Sequence, residues 1–285
     1  MRKIRATTPA KINLFLQVLD RRPDGYHTIE TLYQAISLRD ELIVEKSSGP
    51  CKLDVIGAAQ LKSDDNLVIR ALRWMEDRVG CRIPVKIRLT KQIPIAAGLG
   101  GGSSNAAGML LALRELFQFR VSDQDLRTGA EELGADITFF FSGGSAVGEG
   151  IGEIVTPVKI ASDYRIMLVN PGFPVSTARV YREFSRNLTG NPVEGRLWSV
   201  LRESTDVCDI LHNDLQPVSE SLYPEILEIG KRLEDKGFKH VLMSGSGPTF
   251  FALVPRGESI PVNFSFPAEW IILEASPELN GIVLD

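Results

Sequence analysis

Residues Pro94–Gly108 read PIAAGLGGGSSNAAG. Four glycines, Gly98, Gly100, Gly101 and Gly102, fall within five positions, and Ser103 and Ser104 follow directly. The apolar run MLLALRELF comes next and has the character of a helix. A glycine loop feeding a helix presents backbone N–H groups without Cβ obstruction, and the unpaired N–H groups and dipole of the helix favour an anion. No Gly-Lys-Ser/Thr occurs here, so the loop is not a Walker loop. Ser103 stands where the third glycine of G-x-G-x-x-G belongs, so it is not a dinucleotide fingerprint either. A tight packing turn between strand and helix is the bland alternative. Serine hydroxyls at the helix start, able to donate to phosphate oxygens or ligate a metal, favour a phosphate site.

Working outward, VKIRLT (Val85–Thr90) is a strand leading into the loop, and Ala106 to Phe117 is a helix expected to be capped by Ser103 or Ser104. Asn66 opens an amphipathic helix, NLVIRALRWMEDRVG, that Gly80 stops. Ser122 and Asp125 form a capping box for a helix running to Leu133 and ended by Gly134. Near the start, Ile12, Leu14, Leu16 and Val18 alternate with Lys11, Asn13, Phe15 and Gln17, the pattern of a half-buried strand. The turn Pro23–Gly25 returns the chain into a second strand from Tyr26 through Tyr33. ELIVEK (Glu41–Lys46) and CKLDVI (Cys51–Ile56) suggest a further hairpin. Past Val158 come a strand at Arg165–Val169, a Pro/Gly-rich PGFPVST, more helices, and a strand–loop–strand around MSGSGPTFFALV. Hairpins mixed with helices describe an α+β protein rather than a doubly wound sheet. Two domains are expected, residues 1–160 and 161–285.

A chain of 285 residues with 44% hydrophobic and 24% charged residues is an ordinary globular composition. The net charge of −4 and a pI near 5.6 argue against a nucleic-acid or anionic-membrane footprint. Cys51, Cys81 and Cys208 fit neither a disulfide framework nor a zinc spacing, and His27, His212 and His240 make no metal motif. With no signal-peptide pattern and no apolar run of membrane-span length, a cytoplasmic location is expected.

Several residues could carry chemistry. Lys11 shares a strand face with Asn13; position alone favours a solvated lysine, whereas a transferring phosphoryl group calls for a cation nearby. Asp136, in GADITFFF, has two open readings, an N-cap of a short helix or a catalytic base. Tyr26 and His27 follow the Pro-Asp-Gly turn. They are either local hydrogen-bonding residues or a pair that stacks on a planar ring. Ser244–Gly247 form either a hairpin turn or a second small-residue wall against a ligand.

Four stretches in this order, PAKINLFLQVLDRRPDGYHTIETLYQ (Pro9–Gln34), IPIAAGLGGGSSNAA (Ile93–Ala107), LGADITFFF (Leu133–Phe141) and MSGSGPTFFAL (Met243–Leu253), closely resemble the GHMP small-molecule kinases. The AKINLFL and DGYHTIET pair is similar to the branch of non-mevalonate isoprenoid synthesis whose acceptor is a cytidine-diphosphate-linked methylerythritol, rather than to the homoserine, mevalonate or galactose kinases. The resemblance implies an N-terminal half like domain 2 of ribosomal protein S5 and a ferredoxin-like C-terminal half, with the active site in the cleft between them. It implies ATP with Mg²⁺, the nucleotide phosphates lying on Pro94, Ile95, Ala96, Ala97, Gly98, Leu99, Gly100, Gly101, Gly102, Ser103 and Ser104, with Asn66 near the nucleotide. Asp136 then matches the catalytic aspartate and Lys11 its partner. Asn13, Tyr26 and His27 match the acceptor pocket, as do Thr177 and Tyr181 in PVSTARVY. No metal ligand is evident; Glu115 stands too far along the helix. The segment PRGESIPVNFSFPAEW (Pro255–Trp270) departs from the family, being proline-interrupted where a substantial helix is usual.

Three other readings compete. Another GHMP alcohol kinase would not need a flat-ring pocket. A non-catalytic nucleotide-binding regulator would be expected to lack Lys11 or Asp136. An RNA-binding module would need a basic stripe.

Overall fold

The computed structural model describes residues 2–186, 193–203, 206–260 and 266–285. Its framework is one long antiparallel hairpin, β1 (Lys3–Arg21) and β2 (His27–Lys46), turned at Pro23–Gly25. The strand expected to end at Tyr33 continues to Lys46, because its two ends take different neighbours. Following β3 (Lys52–Ile56) and α1 (Leu67–Val79), the strand β4 (Val85–Thr90) pairs with residues 41–46 of β2. Beyond α2 (Gly101–Phe117), α3 (Asp123–Leu133) and the short α4 (Phe139–Ser142), the hairpin β5 (Ser145–Glu149) and β6 (Ile154–Val158) pairs with residues 31–34.

The expected hairpin between Glu41–Lys46 and Cys51–Ile56 does not form. β4 inserts between those segments, antiparallel to β2 and parallel to β3, giving the order β2-β4-β3. Pairing with the apolar, regularly alternating β4 on both sides outweighs the short SSGP connection as a determinant of register.

β7 (Tyr164–Asn170) starts a second sheet. The chain then runs through α5 (Thr177–Arg186), α6 (Arg196–Glu203), the two-residue β8 (His212–Asn213), α7 (Gln216–Leu222) and α8 (Pro224–Asp235). Next come β9 (His240–Met243), β10 (Phe250–Pro255) and β11 (Ile271–Ala275), which give the second sheet its order β11-β7-β10-β9. The last strand, β12 (Val283–Leu284), returns to the first sheet and pairs with β1. Between β10 and β11 no helix occurs among the described residues; residues 261–265 of that departing segment lie outside them.

The layers run helix, sheet, sheet, helix. Val68, Leu72 and Met75 of α1 and Met109 and Leu113 of α2 cover one face of the first sheet at Leu42, Val44, Ile87 and Leu89. Its other face meets the second sheet, where Ile12, Phe15 and Leu32 join Ile166, Leu168, Phe251 and Leu253 in one cluster. Met167, Val169, Phe250 and Ala252 point the opposite way, onto Ile226, Ile229 and Leu233 of α8. Double-sided burial explains why FFALV is an unbroken apolar run.

The same burial corrects the reading of β1. Ile12 through Val18 are buried on both faces, not one. The alternation also slips: Asn13 pairs with Tyr33 and Phe15 with Leu32, leaving Leu14 as an extra bulged residue. Phe15 therefore joins Ile12 in the inter-sheet core, while Leu16 turns to the side of Lys11 and Asn13.

Candidate active site

A cleft of 1290 Å³ opens between the glycine loop, the turn end of the β1–β2 hairpin, α5 and the β9–β10 loop. Of the site residues singled out above, it is lined by Lys11, Asn13, Tyr26, His27, Asn66, the whole of Pro94–Ser103, Asp136, Thr177 and Tyr181. Ser104 is not among its walls. It is fully buried, and its Oγ has no hydrogen-bond partner among the described residues. Neither serine caps α2: the helix begins at Gly101, with Gly100 in the cap position and no side-chain cap. The first N–H groups of α2 are thus left for whatever occupies the loop.

Lys11 is not solvated. Its side chain is 4% exposed, and its Nζ donates to Asn13 Oδ1 (2.6 Å) and to the Gly98 carbonyl (3.0 Å). It lies 3.5 Å from Asp136 Oδ2, so β1, the glycine loop and the Asp136 turn meet at one ammonium. Asp136 sits inside a single 3-10 turn, Ala135–Ile137, and caps no helix: α4 has Thr138 at its start with no side-chain cap bond. The carboxylate is 35% exposed to the cleft, and its Oδ1 accepts from the Tyr33 hydroxyl at 2.9 Å.

The MSGSGPT segment serves both functions open at the sequence level. β9 and β10 form a hairpin, and its loop walls the cleft with Gly245 and Ser246. Ser244 Oγ donates to the Gly98 carbonyl at 3.0 Å and accepts from the Asn13 N–H at 3.3 Å. Only glycine fits at position 98: φ is +76°, and a Cβ would stand 2.1 Å from the Ser244 carbonyl oxygen. On the far wall the Thr177 and Ser246 hydroxyls share a hydrogen bond of 2.8 Å.

At the hairpin end, Tyr26 is 62% exposed while His27 is buried. The His27 ring lies 5.2 Å from that of Tyr181 at an interplanar angle of 30°. Burial, and then the charge of Arg21, lower the His27 pKa against the opposing effect of Asp20, which keeps the imidazole neutral at pH 7. Burial, then the charge of Asp136, raises that of Tyr181. Both rings line the cleft uncharged, tilted against each other. Asn66 caps α1, accepting from the Val68 N–H at 2.9 Å and donating to the Leu61 carbonyl at 2.9 Å, while also lining the cleft.

Sequence reasoning missed Tyr33 and the buried group formed by Asp40, Lys91 and Asn105. Lys91 lines the cleft just before the glycine loop, and its partner Asp40 sits in the charged run Arg39–Glu41 between the apolar stretches of β2, where it reads as a solvated charge. Tyr33 gave none, because an aromatic in TLYQ reads as core.

Residues 66–144 match the family model of the GHMP kinases N terminal domain, and residues 201–261 that of the GHMP kinases C terminal region. The chain is 42% identical over 262 residues to a protein of Pelotomaculum thermopropionicum named 4-diphosphocytidyl-2-C-methyl-D-erythritol kinase, covering 90% of this chain and 91% of the relative. It is 41% identical over 258 residues to the protein of that name from Geobacter sulfurreducens, covering 89% and 90%. A crystal structure of 4-(cytidine 5'-diphospho)-2C-methyl-D-erythritol kinase superposes with a TM-score of 0.73 at 32% identity, over 96% of this chain and all of that one. Homoserine kinase from Cytophaga hutchinsonii superposes at 0.72 with 17% identity, over 100% of this chain and 98% of that one, a likeness of fold alone.

Proposed function

The chain belongs to the GHMP kinases, and on that premise we propose that its cleft transfers the γ-phosphoryl group of ATP to the 2-hydroxyl of 4-diphosphocytidyl-2-C-methyl-D-erythritol, a step of isoprenoid precursor synthesis. The observation that carries the reading is the placement of the Lys11–Asp136 pair between the glycine loop on one side and the His27–Tyr181 ring pair on the other.

In this reading the amides of Gly98–Gly102 and the start of α2 cradle the nucleotide phosphates, and Asn66 borders the nucleotide. The ring pair, with Tyr26 at the rim, takes the cytosine; Asn13 and Thr177 flank the alcohol. Asp136 accepts the proton of the 2-hydroxyl, with the Lys11 ammonium 3.5 Å from its Oδ2. The acceptor oxygen bonds to the γ-phosphorus in line, the bond to the β–γ bridging oxygen breaks, and ADP leaves. Positioning and the fixed dipoles of the loop supply most of the acceleration, and the base about 10²–10⁴-fold.

Mg²⁺ would enter with the nucleotide. Among the described residues no group of three or more His, Cys, Asp or Glu side chains is placed to hold a metal, so in this reading the ion would be carried by phosphate and water, with Ser103 on the cleft wall. When bound it neutralises phosphate charge. We assign the nucleotide and the base to residues 1–160, and the second acceptor wall to residues 161–285 through Thr177 and Tyr181.

The test is ADP release with ATP and Mg²⁺ on the cytidylyl alcohol, mevalonate, homoserine and galactose in parallel. Turnover of the cytidylyl alcohol alone is expected. Turnover of another alcohol would remove the nucleobase pocket, and silence on all four with ATP bound would leave a regulator.

A further inference from the structure

Asp136 is held by less than its role requires. It lies in one 3-10 turn, its side chain caps nothing, and its contact with Lys11 is an ion pair at 3.5 Å. A charge contact at that distance attracts the carboxylate without fixing its plane, whereas a hydrogen bond is directional. The bond that supplies direction comes from Tyr33, whose Oη donates to Asp136 Oδ1 at 2.9 Å.

The tyrosine is itself immobilised. Its side chain is 0% exposed, and its ring lies 4.9 Å from that of Phe139. The hairpin β5–β6 is carved to admit it: a Cβ on Gly148 would fall 2.4 Å from Tyr33 Cε2, and one on Gly152 would fall 2.5 Å from its hydroxyl. A phenylalanine would need only the first of these two spaces. Burial, and after it the negative charge of Asp136, push the phenol pKa well above its ordinary value, so the group stays protonated and serves as donor.

We propose that Tyr33 is a positioning residue for phosphoryl transfer: its hydroxyl locks the Asp136 carboxylate in the orientation that leaves the second oxygen, beside Lys11, for the proton of the acceptor alcohol. This rests on the reading of Asp136 as proton acceptor. An ionised carboxylate has about four lone-pair directions, and Tyr33 fixes one of them while Lys11 stands beside the second oxygen as a charge.

The experiment measures ADP release with the cytidylyl acceptor for wild type, Tyr33→Phe, Asp136→Asn and the double variant, together with melting temperature. Tyr33→Phe is expected to lower kcat by about 10- to 100-fold, the worth of a hydrogen bond to a charged group, with the KM values for ATP and acceptor within about twofold of wild type and the melting temperature unchanged. In the Asp136→Asn background the same substitution should change nothing further, because its effect passes through the carboxylate. Unchanged kcat in Tyr33→Phe overturns the proposal. So does a fall in kcat accompanied by a lower melting temperature and higher KM values, or a loss of equal size in both backgrounds. Wild-type rates in Asp136→Asn would overturn the reading of the base, and the proposal with it, whereas failure of Tyr33→Phe alone leaves that reading standing.

Discussion

Asp40 and Lys91 form an ion pair at the root of the glycine loop, with side chains 0% and 6% exposed. The carboxylate also accepts from the Gln92 N–H (2.7 Å), the Ile93 N–H (2.9 Å) and Asn105 Nδ2 (2.9 Å). The ammonium donates in addition to Asn105 Oδ1 at 3.0 Å. One carboxylate thus fastens β2, the entry to the loop and the second turn of α2 together. Asp40→Ala would leave the buried ammonium uncompensated and strip two backbone donors. It is expected to cost about 3–5 kcal/mol of stability, read by denaturant unfolding. Removing both charges with Asp40→Asn and Lys91→Met should recover part of that loss; no recovery would mean that the backbone bonds, not the charge pair, carry the effect.

Asp136→Asn keeps the size of the side chain and removes the carboxylate proposed to accept the proton. ATP binding, measured by calorimetry, should be retained while phosphoryl transfer falls by at least about 100-fold. Near-normal turnover would end the base assignment.

Tyr26→Ala should chiefly raise the KM for the cytidylyl acceptor and leave that for ATP nearly unchanged, since the ring stands at the hairpin end of the cleft, away from the loop. Equal damage to both constants would place the wrong ligand there.

His27 gives a pH dependence whose sign is fixed by its burial. Its pKa in the fold is depressed below the ordinary 6.5, so the unfolded chain binds the proton more readily. The contribution to stability is fully present above pH 6.5 and is lost as pH falls below it towards the folded value. His27→Gln should flatten the melting temperature between pH 7 and 5 relative to wild type; an unaltered slope would show that other groups govern it.

How far the sequence disclosed this molecule depended on whether a segment's signals were local. β4, α1 with Asn66 and Gly80, and the Ser122–Asp125 capping box lie where their residues place them, because a cap or a short alternating strand is specified within a few positions. The failures were non-local. The partner of Glu41–Lys46 was decided by β4, some 40 residues on, and the bulge at Leu14 is invisible to an alternation count. Lys11 looked solvated because burial of a charge depends on partners from three elements. The motifs pointed to the cleft residues; Tyr33 lies within the Pro9–Gln34 stretch but reads there as core, and Asp40 lies outside every motif.

The pairing of β12 with β1 sets Ala6 opposite Leu284 and Thr7 opposite Val283. Arg5 and Asp285 exchange backbone hydrogen bonds of 2.9 and 2.8 Å across that edge. Until β12 has been made, residues 5–7 of β1 keep that edge open, with unpaired N–H and C=O groups able to template another strand. Lys11 rides on that same strand, so a slipped pairing at its start would shift the register on which the Lys11–Asp136 contact depends.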